Sequence, residues 1–295
     1  DGQITSVAFT NFNDDTATDL GVYSFYLQDE IELTDQLTLV LGARFDSFDI
    51  EVTTYNAAGV ETASESQKDE ELTPRAGIVY KPEENISLYA SYSQTFVPQS
   101  GEQFANLGTR GLDPDEFTNL EAGVKWDLTN DQSVTLAIFK IEQDLVEGTN
   151  DNSVVVEDEI EGFEAQYLGR VSDRWTVSAG YTYLTGEDHD GDRPGELPKS
   201  SFSIWNNYQL TGKLGLGLGA IYQDESTPKG GDQFGTVPDF IRVDAAAYYQ
   251  LSDSLRLQVN IENLLDEEYY PHAYDDHQFT VGAPINATVS ISGTF

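Results

Sequence analysis

Ile285-Asn286-Ala287-Thr288-Val289-Ser290-Ile291-Ser292-Gly293-Thr294-Phe295 alternates without a break. Phe295, Gly293, Ile291, Val289, Ala287 and Ile285 form an apolar or small set, and Thr294, Ser292, Ser290, Thr288 and Asn286 a polar one. Successive side chains of a strand point to opposite faces, so this is a two-faced β-strand. A soluble sandwich could use such a strand, but an aromatic residue closing it is the pattern of strands that cross bacterial outer membranes. Phe295 is therefore read as a membrane-assembly signal.

The same alternation recurs upstream. Leu214, Leu216, Leu218, Ala220 and Tyr222 alternate with Gly215, Gly217, Gly219 and Ile221, and Leu255, Leu257, Val259 and Ile261 with Arg256, Gln258, Asn260 and Glu262. Ile241, Val243, Ala245, Ala247 and Tyr249 oppose Arg242, Asp244, Ala246, Tyr248 and Gln250. A closed soluble core would not tolerate the charges on the second faces, so the pattern reads inside out, with lipid outside and a wet or plugged lumen inside.

Short turns are predicted near Thr34-Asp35-Gln36, Pro82 to Asn85, Thr129 to Gln132, Ser172-Asp173-Arg174, Thr211-Gly212-Lys213 and Ser252-Asp253-Ser254. Between them lie longer polar stretches, read as loops: Asn56 to Lys68, Val97 to Pro114, Gly148 to Asn152, Thr185 to Pro198, Gln223 to Gly235 and Tyr270 to Ala283. Tight turns on one rim and extended loops on the other describe an outer-membrane barrel. The fold expected is all-β, a transmembrane antiparallel β-barrel, here a partial barrel of about 13–14 strands. A β-propeller would also divide a chain of this length, but its blades hold four short strands and not two long ones.

Composition agrees with this reading. The chain has 295 residues, 39% hydrophobic, with mean hydropathy −0.41, and no run reaches the length of a membrane helix. Only every second residue of a barrel strand meets lipid, so low hydropathy is compatible with a membrane protein. Aromatic residues, 12% of the chain, suit interfacial girdles. With no cysteine and three histidines, thiolate sites are excluded and imidazole ligation is limited. The sequence contains no methionine and starts at Asp1 without a leader-like segment, and is expected to be a mature fragment or a truncated product. Fifteen Lys plus Arg against 52 Asp plus Glu, net −37, argue against nucleic acid as a partner. The acid suits a hydrated surface, or divalent bridging to neighbouring lipopolysaccharide.

Val259-Asn260-Ile261-Glu262-Asn263-Leu264-Leu265-Asp266-Glu267-Glu268-Tyr269-Tyr270, followed by Gly282-Ala283-Pro284, resembles a segment of TonB-dependent siderophore receptors, most closely the catecholate type. Leu88 to Phe96, Leu112-Asp113-Pro114, Leu120 to Trp126, and Leu214 to Gln223 ahead of Arg242-Val243-Asp244 are also similar to family stretches. Ile285 departs from the family's usual Arg, and Leu197-Pro198-Lys199-Ser200 from a common Pro-Arg-His. The resemblance implies that residues 1–295 form the C-terminal portion of the receptor barrel, without the plug domain. It also implies TonB-dependent uptake of ferric siderophores across the outer membrane of a Gram-negative bacterium. The implied partners are the ferric siderophore, the TonB energy-transducing complex through the missing plug, the barrel-assembly machinery through the C-terminal strand, and outer-membrane lipid.

A ferric catecholate complex is bulky, anionic and aromatic, so its capture calls for ring faces and cationic donors. The candidates on the long-loop rim are Gln103, Phe104 and Arg110 in one loop and His272, Tyr274, His277 and Phe279 in another; for any one of them taken singly, an ordinary loop anchor is the first reading. Asp188-His189-Asp190-Gly191-Asp192 has the alternating carboxylates of a calcium loop, but no Glu stands at the twelfth position, so a solvated loop tip is the first reading. His272 and His277 have no evident third ligand. No cofactor, metal or catalytic residue is assigned, and no enzyme activity is expected. A passive outer-membrane porin and, further off, a barrel enzyme are the alternatives.

Overall fold

The computed structural model describes residues 14–98, 114–147, 154–228, 235–275 and 278–294. Twelve strands follow one another: β1 (Asp14–Thr34), β2 (Leu37–Asn56), β3 (Glu61–Glu83), β4 (Ile86–Val97), β5 (Asp115–Thr129), β6 (Gln132–Glu147), β7 (Val154–Ser172), β8 (Trp175–Glu187), β9 (Ser200–Gln209), β10 (Leu214–Gln223), β11 (Phe240–Ser252) and β12 (Leu255–Glu262). A short hairpin, β13 (His272–Asp275) with β14 (Gln278–Thr280), precedes β15 (Asn286–Gly293). One antiparallel sheet of 13 strands runs β1 through β12 and then β15, each paired with its neighbour in sequence. The six predicted short turns all join consecutive strands at one rim. Phe295 lies outside the described residues.

Register places the apolar sets in continuous rows. Leu216 lies opposite Ala247, Ala247 opposite Val259, and Val259 opposite Val289; Leu214, Tyr249, Leu257 and Ile291 make the next row. Val289 and Ile291 are each 64% exposed and Leu218 53%, so this face is unburied by the protein itself and needs lipid against it. The opposite face is crowded. Trp205 lies across Gly217 and Gly219, and Phe139 lies against Gly162; a Cβ at any of these glycines would fall within 3.0 Å of the ring. Side chains that converge on one face and splay on the other define an inner and an outer wall, and the glycines give the inner rings their space.

Outward rings mark the level of the membrane. Tyr80, Trp126, Tyr167, Trp175, Tyr208 and Tyr249 all sit on the outer wall near the short-turn rim. Tyr181, Tyr183, Phe202 and Tyr222 form a second level toward the long loops. From Trp175 to Tyr183 is roughly 26 Å along the strand at about 3.3 Å per residue, close to the apolar band of such barrels.

β2 shows where the lipid ends. Leu39, Leu41, Ala43 and Phe45 face outward, whereas beyond Asp46 the apolar residues Phe48, Ile50 and Val52 face inward and Ser47, Asp49 and Glu51 outward. Ile50 and Val52 are buried at 1% and 3% exposure, and Phe48 meets Phe96 edge to face at 5.5 Å. Leu37 to Phe45 is nine residues, the length a tilted strand needs to cross the hydrocarbon. Above that level water lies outside and protein inside, so the apolar set changes sides. This corrects the loop reading of Asn56 to Lys68. Only Ala57–Val60 turns there, closed by Asn56 Oδ1 accepting from the amides of Ala58 (2.9 Å) and Val60 (3.1 Å), and β3 starts at Glu61. Its polar residues form a strand with water on its outer side.

Candidate functional site

Three connections at the long-loop rim are tied together: β8 to β9, β10 to β11, and β12 to β15. In the first, Arg193 donates from Nε to the Leu197 carbonyl (3.0 Å) and from Nη2 to those of Leu184 (3.2 Å) and Leu197 (2.8 Å), fixing the loop's curvature. Glu196, at φ 61°, donates its amide to the Thr227 carbonyl of the second connection at 2.7 Å. Its Oε1 lies 2.7 Å from Nδ1 of His272 in the third. Gln223 donates from Nε2 to the Pro271 carbonyl at 3.2 Å.

The third connection begins in a buried knot. Asn263, 0% exposed and at φ 53°, donates from Nδ2 to the carbonyls of Glu267 (2.8 Å) and Ala283 (3.0 Å) and accepts the Glu267 amide at Oδ1 (2.9 Å). Its own amide donates to Asp244 Oδ1 at 2.9 Å, and Asp266, also at φ 53°, accepts the Ile285 amide at 2.9 Å. Asn and Asp adopt this left-handed backbone most readily among residues with a Cβ, which suits both positions. Tyr269 is buried against Phe240 at 4.7 Å between centroids, and its hydroxyl accepts from Arg242 Nη1 at 3.1 Å. Arg242 also pairs with Asp244 (3.0 Å) and Glu262 (2.8 Å), so its charge is matched on the inner wall. Gly282 abuts the Tyr269 ring, where a Cβ would collide.

Beyond the knot the chain presents rings. In the β13–β14 hairpin His272 pairs with Thr280 and Ala273 with Phe279. Phe279 packs edge to face on Tyr270 at 5.5 Å while remaining 55% exposed. The Tyr270 hydroxyl donates to Glu268 at 2.7 Å, and that hydrogen bond, with the carboxylate's charge, raises its pKa. Of the seven candidates, His272, Tyr274 and Phe279 are brought into this one hairpin. Gln103, Phe104, Arg110 and His277 lie outside the described residues. In the acidic run, Asp188 turns back on its own loop: Oδ1 accepts the amides of Asp190 (3.0 Å) and Asp192 (2.9 Å), with Gly191 at φ 82°.

Glu196, Arg193, Asn263 and Asp266 were not singled out from sequence. The signal for the last two was available, since Asn and Asp three apart after a strand fit a capping turn. Nothing local marks Glu196 as the partner of a histidine 76 positions on.

Residues 1–264 match the family model described as TonB dependent receptor-like, β-barrel. The chain is similar to the probable TonB-dependent siderophore receptor PiuA of Acinetobacter baumannii, with 31% identity covering 91% of the chain and 40% of that protein. It is 30% identical to a ferric-pyoverdine BN7/BN8 receptor of Pseudomonas putida, covering 100% of the chain and 37% of that protein. The crystal structure of PiuA superposes with TM-score 0.81 at 29% identity, over 95% of this chain and 44% of that one. The ferric-catecholate import receptor Fiu of Escherichia coli, at 21% identity and TM-score 0.84 over 95% and 45%, shares the fold. The chain thus spans about 40% of the length of the relatives it matches.

Proposed function

The chain belongs to the TonB-dependent receptor β-barrel family of outer-membrane proteins, and on that premise we propose that it serves the import of ferric siderophores, by preference of the catecholate type. The observation that carries this is its likeness over nine-tenths of its length to a siderophore receptor. The family is one of transport receptors, and no enzymatic role is assigned to the chain.

The His272–Thr280 hairpin, with Tyr274 and Phe279 exposed, offers ring faces at the long-loop rim, and the loop carrying Gln103, Phe104 and Arg110 supplies further ligand contacts in this reading. Each ring-face or cation–π partner contributes about 0.5–2 kcal/mol. An anionic complex must approach a chain of net charge −37, but at physiological salt charges beyond about 8 Å are largely screened. Energy coupling through a plug and the TonB complex is assigned to the part of such receptors outside this span. The outward apolar rows support contact with outer-membrane lipid, and insertion through the barrel-assembly machinery by the C-terminal strand is part of the same proposal.

The test places this chain in a receptor chimaera, joined to the plug and remaining strands of a compatible relative, in an iron-starved strain lacking its own receptors. Radiolabelled iron should enter with catecholate carriers. Uptake with hydroxamates alone would overturn the subtype, and entry of small sugars without iron uptake would favour a porin.

A further inference from the structure

Glu196 closes a triangle between the three long-loop connections. Its amide ties the first to the second at the Thr227 carbonyl (2.7 Å), its carboxylate ties the first to the third at His272 (2.7 Å), and Gln223 ties the second to the third at the Pro271 carbonyl (3.2 Å). Two of these ties are hydrogen bonds to backbone carbonyls from groups that do not titrate. The remaining one joins a carboxylate to an imidazole, so its strength depends on a proton. Every group in the triangle belongs to this chain, and none of the ties requires a surface to be free.

The carboxylate is placed where it needs the imidazole's charge. Glu196 Oε1 is buried and no donor meets it in hydrogen-bond geometry, although Nδ1 of His272 lies 2.7 Å away. A buried carboxylate oxygen without a hydrogen bond is costly, and a positive imidazole beside it is the compensation at hand. Glu196 also holds a left-handed backbone, φ 61°, which a residue with a Cβ keeps only where its surroundings fix it. The other charges flanking these ties along the chain are Arg193 and Lys199 in the first connection, Asp224 and Glu225 in the second, and Glu268 and Asp275 in the third. Arg193 is turned to the Leu184 and Leu197 carbonyls, Asp224 to the Tyr222 hydroxyl (3.3 Å) and the Glu225 amide (3.0 Å), and Glu268 to the Tyr270 hydroxyl. Among the described residues Glu196 is the acid at ion-pair distance from His272.

We propose that Glu196 and His272 form a proton-operated latch, which holds the three connections and the aromatic hairpin together in a mildly acidic medium and releases them in an alkaline one. Imidazoles in model peptides gain a proton near about pH 6.5 and carboxylates near about pH 4.3, so such a pair carries both charges at about pH 5.5 and only the negative one at about pH 8. Its contribution is present at the lower pH and is lost as pH rises through the titration of the imidazole. Model carboxylates are ionised across that interval, so the imidazole is the group that changes. The Tyr270 phenol, raised by its hydrogen bond to Glu268, titrates above it. The latch operates with no ligand present and does not rest on siderophore capture.

The test is amide hydrogen exchange of the full chain in neutral detergent micelles at about pH 5.5 and about pH 8, each rate divided by that of an unstructured peptide at the same pH. Protection of the Glu196 amide should be about two- to fivefold greater at the lower pH, the range of a partly exposed ion pair. His272→Gln and Glu196→Gln should each remove the difference and leave protection at its higher-pH level. His189→Gln and His277→Gln, which replace the other two histidines, should keep it. The Lys81 amide, bonded to the Gln36 carbonyl at the opposite rim, should show no dependence on pH. If one of the two latch variants does not fold, as judged by circular dichroism, the other carries the comparison. Equal protection at both pH values, a difference that survives His272→Gln or Glu196→Gln, its loss with His189→Gln or His277→Gln, or a parallel change at Lys81 would overturn the latch.

Discussion

Asn263 to Tyr270 and His272 to Thr280 are consecutive on the chain and share a rim, yet they use similar residues in opposite ways. In the first, Asn263 is fully buried, Tyr269 is 5% exposed, and the side chains of Asn263 and Asp266 are spent on backbone groups. In the second, Tyr274 is 50% and Phe279 55% exposed. Residue type does not separate a support from a presenting surface. Where the hydrogen bonds go does.

The comparison is tested most severely at Asn263. Asn263→Ala leaves the Glu267 amide and the carbonyls of Glu267 and Ala283 without their buried partner; at about 1–3 kcal/mol for each such group, the loss should reach roughly 3–5 kcal/mol in urea unfolding followed by tryptophan fluorescence. A change under 1 kcal/mol would erase the distinction between the two segments. Gly282→Ala drives a methyl into the Tyr269 ring and should destabilise by about 1–3 kcal/mol in the same assay. Arg242→Gln leaves Asp244 and Glu262 facing each other without a cation. At its 20% side-chain exposure the cost should be about 2 kcal/mol in the same assay.

The hairpin should respond inversely. Phe279→Ala removes only an exposed ring paired with Tyr270, so stability should fall by about 0.5–1 kcal/mol. Iron uptake by the chimaera should fall about tenfold, the effect of about 1.4 kcal/mol in capture. Smallest is His272→Gln, for which the unfolding midpoint should stay constant while amide exchange at Glu196 accelerates severalfold as its loop loosens.

The strands and their facing were legible because lipid on one side and water on the other impose strict alternation over about nine residues, as in Leu214 to Tyr222. That logic stops at the membrane surface. At Asp46 of β2 the apolar set crosses to the inner face, and Ala63 to Gln67 of β3, with water outside, reads as a loop although each residue is paired with β2. The knot was visible only as a familiar segment. Its function depends on residues 244, 263–269 and 282–285 converging, and no local pattern in the sequence says which carbonyls Asn263 will meet. Of the seven candidates, sequence placed His272, Tyr274 and Phe279 in a long-loop stretch, where the structure has them in one hairpin, but gave no sign of that hairpin or of the tether from His272 to Glu196.

Direction sets a last constraint. Among the described residues the sheet has thirteen strands in strict up-and-down order, an odd number, so its two border strands, β1 of 21 residues and β15 of 8, run the same way. Rolling the sheet onto itself would set two parallel neighbours into a wall that is antiparallel everywhere else. A second copy inserted with the same sidedness repeats the mismatch at both seams, since each of its borders points the same way too. An all-antiparallel cylinder can incorporate this sheet only if the additional strands are odd in number and both begin and end opposite to β1. Parity alone thus discriminates among the ways this wall can be completed.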